Sequence, residues 1–256
     1  ALPIWTQDSG DLSVNMTLQR VSGAGLVFYA ITITFAGVDW IMALNPHWYS
    51  TLFGFLMIGG QGLSALAFTI VIATLLVKDE PMSGLLKPHH FHDLGKLMFA
   101  FVMLWAYFNF SQFLLTYAAN LVEEIPYMLT RLHNGWQYLA LFLVVFHFAG
   151  PWLLLLSRDT KRTPHRLVVI AGWLLVMRFL DLFMMISPEF GADGRNIHFE
   201  AGEHASHFFF HPLDLAAPLA IGGLWLWMFY TQLAQRPLFA VGDPYLRESL
   251  ESTGGH

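Results

Sequence analysis

Hydrophobic positions in this chain fall into six long blocks rather than short alternating runs. Residues 23–44, 51–77, 97–119, 135–157, 167–187 and 213–233 (spans A to F) are each long enough to cross a hydrocarbon core, which takes about 20 helical residues. Polar residues concentrate between the blocks. The pattern predicts an all-α fold, a polytopic transmembrane helical bundle with six spanning helices. Residues 1–22 would precede the bundle, 23–234 would form it, and 235–256 would be a short polar tail. The 120–134 connection mixes apolar and polar residues, with Glu123, Glu124 and Pro126, and is expected to lie along the membrane surface. The 188–211 connection carries four histidines and four Gly or Pro residues. No soluble domain, repeat or low-complexity tract interrupts the series.

Charge orients the bundle. Arg20, Lys78, Lys87, Lys96, Arg158, Lys161, Arg162, Arg166, Arg236 and Arg247 fall on one side, against Arg131 and Arg195 on the other. Cytoplasmic loops are enriched in Lys and Arg. Both termini and the B–C and D–E connections are therefore expected in the cytoplasm. Trp48, Tyr49, Tyr117, Trp136 and Tyr138 then gather at the outer interface, as an aromatic belt does. Composition agrees: 55% of residues are apolar and 12% charged, about half the charged share of a soluble domain. The net charge of −5 adds little, because most of the surface faces lipid or partners. The absence of cysteine excludes disulfides, Cys-ligated iron–sulfur clusters and covalently attached c-type haem on this chain. The first residue is Ala1, and Trp5, Gln7, Asp8 and Asp11 break any signal-peptide core. The sequence is expected to be either processed or part of a longer polypeptide.

Within the apolar blocks, a few polar residues carry the candidate chemistry. Arg178 and Asp181 sit inside span E, three residues apart and so on one helix face. A charge near the bilayer centre costs from about 2.5 to above 10 kcal/mol, and the two can offset one another. The pair is either a structural clamp or part of a proton or quinone site. Asp39 lies about one turn from the outer end of span A, and His147 near the centre of span D. Gln61 on span B, Tyr107, Asn109 and Gln112 on span C, and Asp214 opening span F complete the set. All lie between the midplane and the outer surface, which points to an outward-facing polar cavity: a half-channel or a head-group pocket. Scattered interhelical clamps would produce the same residue types without the skew in depth. Gly59-Gly60 and Gly62 on span B, and Gly222-Gly223 on span F, suggest close helix contacts.

Metal and haem signals are weak. His89, His90, His92 and Asp93 cluster in a cytoplasmic loop, and His204, His207 and His211 have the spacing of one helix face. Either set has the composition of a zinc site, yet no supporting second set of partners is evident, and no metal is assigned. A membrane b-haem needs two axial ligands, and His147 has no mid-depth histidine partner. No phosphate loop, hydrolase triad or nucleic-acid patch is present, and no catalytic residue is assigned.

Several longer strings resemble a known family. Phe35-Ala36-Gly37-Val38-Asp39-Trp40, Pro46-His47-Trp48 and the 60–67 segment are among them. So are His92-Asp93-Leu94-Gly95-Lys96-Leu97, Trp105-Ala106-Tyr107-Phe108 and Phe110-Ser111-Gln112-Phe113. Arg131-Leu132-His133-Asn134-Gly135-Trp136, Leu155-Leu156-Ser157-Arg158-Asp159 and Met177-Arg178-Phe179-Leu180-Asp181 complete them. Together they are similar to the ActF subunits of bacterial alternative complex III, integral membrane proteins of the NrfD-like group. The resemblance covers most of the chain. It implies a protein of roughly ten helices, of which these six would be the C-terminal part, in the bacterial cytoplasmic membrane. It implies a cofactor-free subunit of a (mena)quinol:electron-acceptor oxidoreductase. The implied partners are an ActC-like NrfD homologue, an iron–sulfur subunit and c-type cytochrome subunits, with a terminal oxidase a further candidate. Haem, iron–sulfur clusters and menaquinone would reside on or near those partners. In this reading Asp39, His147, Arg178 and Asp181 line a proton path, supported by Gln61, Tyr107, Asn109, Gln112 and Asp214. Direct quinone binding and a purely structural scaffold are the alternatives.

Overall fold

A computed structural model describes residues 12–80, 82–191, 207–235 and 238, with backbone only for 12–15. Six of its helices are long and apolar enough to cross a membrane, and the protein is a polytopic helical bundle. They are α1 (Leu12–Trp40), α2 (Phe53–Leu76), α3 (Pro88–Ala119), α5 (Trp136–Leu156), α6 (Pro164–Ile186) and α7 (Pro212–Ala234). A shorter helix, α4 (Ile125–Leu132), lies in the 120–134 connection.

Four of the six spans lie within a few residues of their expected bounds. The other two begin earlier. The first helix starts at Leu12 rather than residue 23, and α3 starts at Pro88 rather than residue 97. Proline is well placed at a first helical position, where no N–H is needed. The Lys87 backbone N–H also donates to His90 Nδ1 at 3.1 Å. His89, His90, His92 and Asp93 therefore occupy the first turns of a helix and not a loop, and His90 serves as a cap.

Contacts divide the chain into two units, Tyr29–Phe208 and a second one of Ala1–Phe28 with Phe209–His256. In the second, α7 opens on a capping box. His211 Nδ1 accepts from the Leu213 N–H (3.2 Å), and Asp214 Oδ2 accepts from the His211 N–H (2.9 Å). No α7 residue is buried, and Gly222 and Gly223 meet nothing within 4 Å.

In the larger unit, α6 is the central helix. Its buried positions, Leu167, Ile170, Ala171, Leu174, Met177, Arg178 and Asp181, step by three or four residues and define one face. That face packs on α2, where Gly60 lies directly under the Arg178 guanidinium; a Cβ at Gly60 would overlap it. Gly59 and Gly62 instead face Phe108 and Phe101 of α3. The close approach expected from this glycine cluster is thus made to two neighbours at once. Hydroxyls along α2 bond back to carbonyls four residues earlier: Ser64 to Gly60, Thr69 to Ala65 and Thr74 to Ile70.

Helix α5 widens into a π-helical segment over Val144–Ala149. Pro151 explains it. Proline has no N–H and its ring crowds the carbonyl four residues back, here that of His147. The Gly150 N–H bonds to Val145 O, five residues back, so Phe146 O has lost its usual donor, and Pro151 cannot supply another. The Trp173 indole N–H of α6 donates to Phe146 O at 2.8 Å instead. A backbone carbonyl without a partner is costly at membrane depth. Trp173→Phe should therefore lower stability by about 1–3 kcal/mol, measured by equilibrium unfolding in mixed micelles. An unchanged unfolding midpoint would show that Phe146 O needs no partner.

Candidate functional site: a chamber beside a buried ion pair

A cavity of about 190 Å³ lies at the end of the larger unit that carries α4. Its volume exceeds what several water molecules require. Trp105, Asn109, Gln112, Tyr127, Arg131 and Asp181 line it among apolar neighbours.

The Asp181 side of the chamber is the paired charge in α6. Asp181 Oδ2 accepts from Arg178 Nη1 and from the Trp105 indole Nε1 (3.0 Å). Both charged residues are buried. Trp105 in turn stacks on the His147 ring, with centroids 4.2 Å apart. His147 is fully buried in the π segment, and neither ring nitrogen has a hydrogen-bond partner among the described residues. The π segment and the α6 face thus place His147, Trp105, Asp181 and Arg178 in one contact chain. π-Helical turns recur at functional sites.

The opposite side is a second buried ion pair. Arg131 of α4 donates from Nη2 to Glu189 Oε1 (2.7 Å) and Met185 O (2.9 Å), and from Nη1 to Tyr127 O (2.9 Å). Glu189 belongs to the Ser187–Glu189 turn that follows α6 and is only 2% exposed. The Arg131 guanidinium lies 3.4 Å from the Tyr127 ring centroid, and Trp48 stacks on that ring at 3.7 Å and 4°. Two groups that close cannot share a ring face, so Trp48, Tyr127 and Arg131 form a three-layer stack. Burial raises the Tyr127 phenol above its ordinary pKa, with the Arg131 charge opposing. The Trp48 indole N–H has no partner among the described residues. Along one wall, Gln112 Oε1 accepts from the Ser50 hydroxyl and Gln112 Nε2 reaches Thr116 Oγ1 at 3.4 Å.

An apolar groove of about 640 Å³ adjoins the chamber and shares Trp105, Asn109, Phe113 and Val144 with it. Tyr107 lines only the groove and is exposed. Asn109 lies at the junction, its amide Nδ2 donating to Trp105 O at 2.9 Å.

Five of the nine residues singled out in the sequence converge here: His147, Arg178, Asp181, Asn109 and Gln112. Tyr107 stands beside them in the groove. Of the remaining three, Asp39 and Gln61 do not join, and Asp214 belongs to the other unit. Asp39 is exposed at the last turn of α1 and lines none of these cavities. Gln61 is exposed and accepts from the Tyr29 hydroxyl at 2.6 Å, which makes it a link between α1 and α2. Asp214 caps α7. Sequence reasoning missed Arg131 and Glu189, counting the first as an outer loop cation. Trp48, Ser50 and Tyr127 also went unassigned as chamber residues. The amphipathic pattern of Ile125–Leu132 was the available signal for a buried face on α4.

Among the described residues, no three His, Asp or Glu side chains group as a metal site would require. His204 lies outside the described residues. Compared with known protein families and curated proteins, the chain matches no family model and no curated sequence.

Proposed function

We propose that this chain is a cofactor-free membrane subunit of a quinol-oxidising respiratory complex in a bacterial cytoplasmic membrane, and that its chamber is a proton half-channel ending at Asp181. One observation carries the half-channel. A buried carboxylate, charge-paired to Arg178, borders a largely apolar cavity, roomy enough for water, that Arg131 and Tyr127 also line. Ionisable residues inside membrane helices mark ion pathways more often than they mark lipid contacts. Asp181 would exchange protons with the chamber. Arg178 would hold the carboxylate in its charged form between transfers, and His147 would extend the path behind Trp105. Both termini would be cytoplasmic, which places the chamber toward the outer face. The family likeness rests on the strings quoted above, and from it come the iron–sulfur, c-type cytochrome and ActC-like partners.

Mild extraction and mass spectrometry test the assembly: haem- and cluster-bearing subunits should co-purify in fixed proportion. A lone polypeptide would sink that part of the reading. The channel is tested by Asp181→Asn, which keeps an acceptor for Arg178 and Trp105. In fully assembled complex reconstituted into vesicles, proton release per electron should fall at least several-fold. Unchanged coupling removes Asp181 from the path and leaves the scaffold reading.

A second reading has its own support. The groove beside the chamber has the volume of a ligand pocket, and Asn109 joins the two. A quinone would place its head group in the chamber and its tail in the groove. Photoaffinity labelling with a quinone analogue should then mark Asn109 or Phe113; labelling spread evenly over exposed spans counts against it.

A further inference from the structure

The other end of the larger unit holds a cluster of three cations, of which one is paired to a carboxylate. The Arg158–Arg162 turn packs against the start of α3. The Lys161 stem lies on Gly95, where a Cβ would come within 2.9 Å of its Cγ. Its Nζ sits 5.5 Å from the centroid of the Phe99 ring. Phe99 is one helical turn further along α3 than Gly95, toward the membrane interior. The ammonium thus lies over an aromatic ring rather than beside a carboxylate. Lys96 stands beside it and is paired to Asp93 at 3.2 Å. Lys161 and Arg162 have no ion pair among the described residues. Lys96, Lys161 and Arg162 are close enough that all three charges act on the His92 ring. Partial burial, then the Lys96 charge, lower the Lys161 pKa. The fold holds like charges together that would separate if left free, and Leu97, Leu156 and Val169 stand exposed close by in the chain.

We infer that Lys96, Lys161 and Arg162 form a binding site for the phosphate of an anionic phospholipid, whose acyl chains lie on the exposed apolar surface of α3, α5 and α6. A phosphate placed there would pair with the Lys161 ammonium and relieve the repulsion. A membrane-facing patch of this kind is what basic clusters beside spanning helices use to hold acidic lipids. The site is independent of the chamber and of any redox role.

The test uses the purified full-length protein, in its complex where one co-purifies. Delipidated protein is titrated with phosphatidylglycerol, with phosphatidylcholine and with inorganic phosphate, reading thermal unfolding and native mass spectra. Phosphatidylglycerol should bind and raise the unfolding temperature, while the other two do neither. Lys161→Gln should weaken that binding about five-fold, the effect of one interfacial cation, and Lys161→Arg should restore it. Equal binding of the two lipids overturns the inference, and so does full stabilisation by inorganic phosphate alone. Should Lys161→Gln fail to fold, the comparison of the two lipids on the unaltered protein still decides.

Discussion

Asp181→Leu is expected to be the most damaging single change in the protein, with a loss of about 3–5 kcal/mol, the range for breaking a buried ion pair. The substitution removes both the partner of Arg178 and the acceptor of the Trp105 indole N–H. Arg178→Leu should cost less. A carboxylate left alone in an apolar site can take up a proton and become neutral, whereas a guanidinium remains charged at any accessible pH. The Arg178→Leu/Asp181→Leu double variant should recover most of the loss, because no unpaired charge remains; the residual deficit is the unpaired Trp105 N–H, about 1–3 kcal/mol. Unfolding in mixed micelles measures all four species. Equal losses for the two single variants would mean that the site is wet enough to solvate either ion.

Arg131→Ala is expected to open the chamber. Three hydrogen bonds and the Tyr127 stack end with it, and buried Glu189 loses its bond to Arg131. The loss should again be about 3–5 kcal/mol, while Glu189→Gln, which keeps an acceptor, should cost clearly less. The chain has no cysteine, so Gln112→Cys provides a single reporter on the chamber wall. An impermeant thiol reagent should label it slowly while Arg131 is present. With Arg131→Ala the rate should rise about ten-fold, equivalent to roughly 1.4 kcal/mol of opening free energy. The same labelling rate in both backgrounds would show that α4 does not close the chamber.

These two ion pairs differ in how far they could be read beforehand. Arg178 and Asp181 are three residues apart in one apolar block, so helical geometry alone puts them on one face. Arg131 and Glu189 are 58 residues apart and come from two connections. Nothing local joins them, and each alone reads as a surface charge. The π segment shows the same limit: Pro151 announces a disturbance in α5, but the partner that repairs it, Trp173, is supplied by another helix.

The sequence by itself determined the six spans, the cation-rich end and the co-facial charges in α6. Each of these follows from chain-local quantities: run length against hydrocarbon thickness, loop composition, and the period of the helix. Only the tertiary structure decided which polar residues share a space. It set Asp39 and Gln61 apart and brought Arg131, Tyr127 and Trp48 together with Gln112 and Asp181 around one cavity. The physical reason is that membrane helices are apolar on their lipid side and on their packed side alike. Their rotation in the bundle leaves little trace in hydropathy and is fixed instead by close contacts, here Gly60 under Arg178 and Gly62 against Phe101.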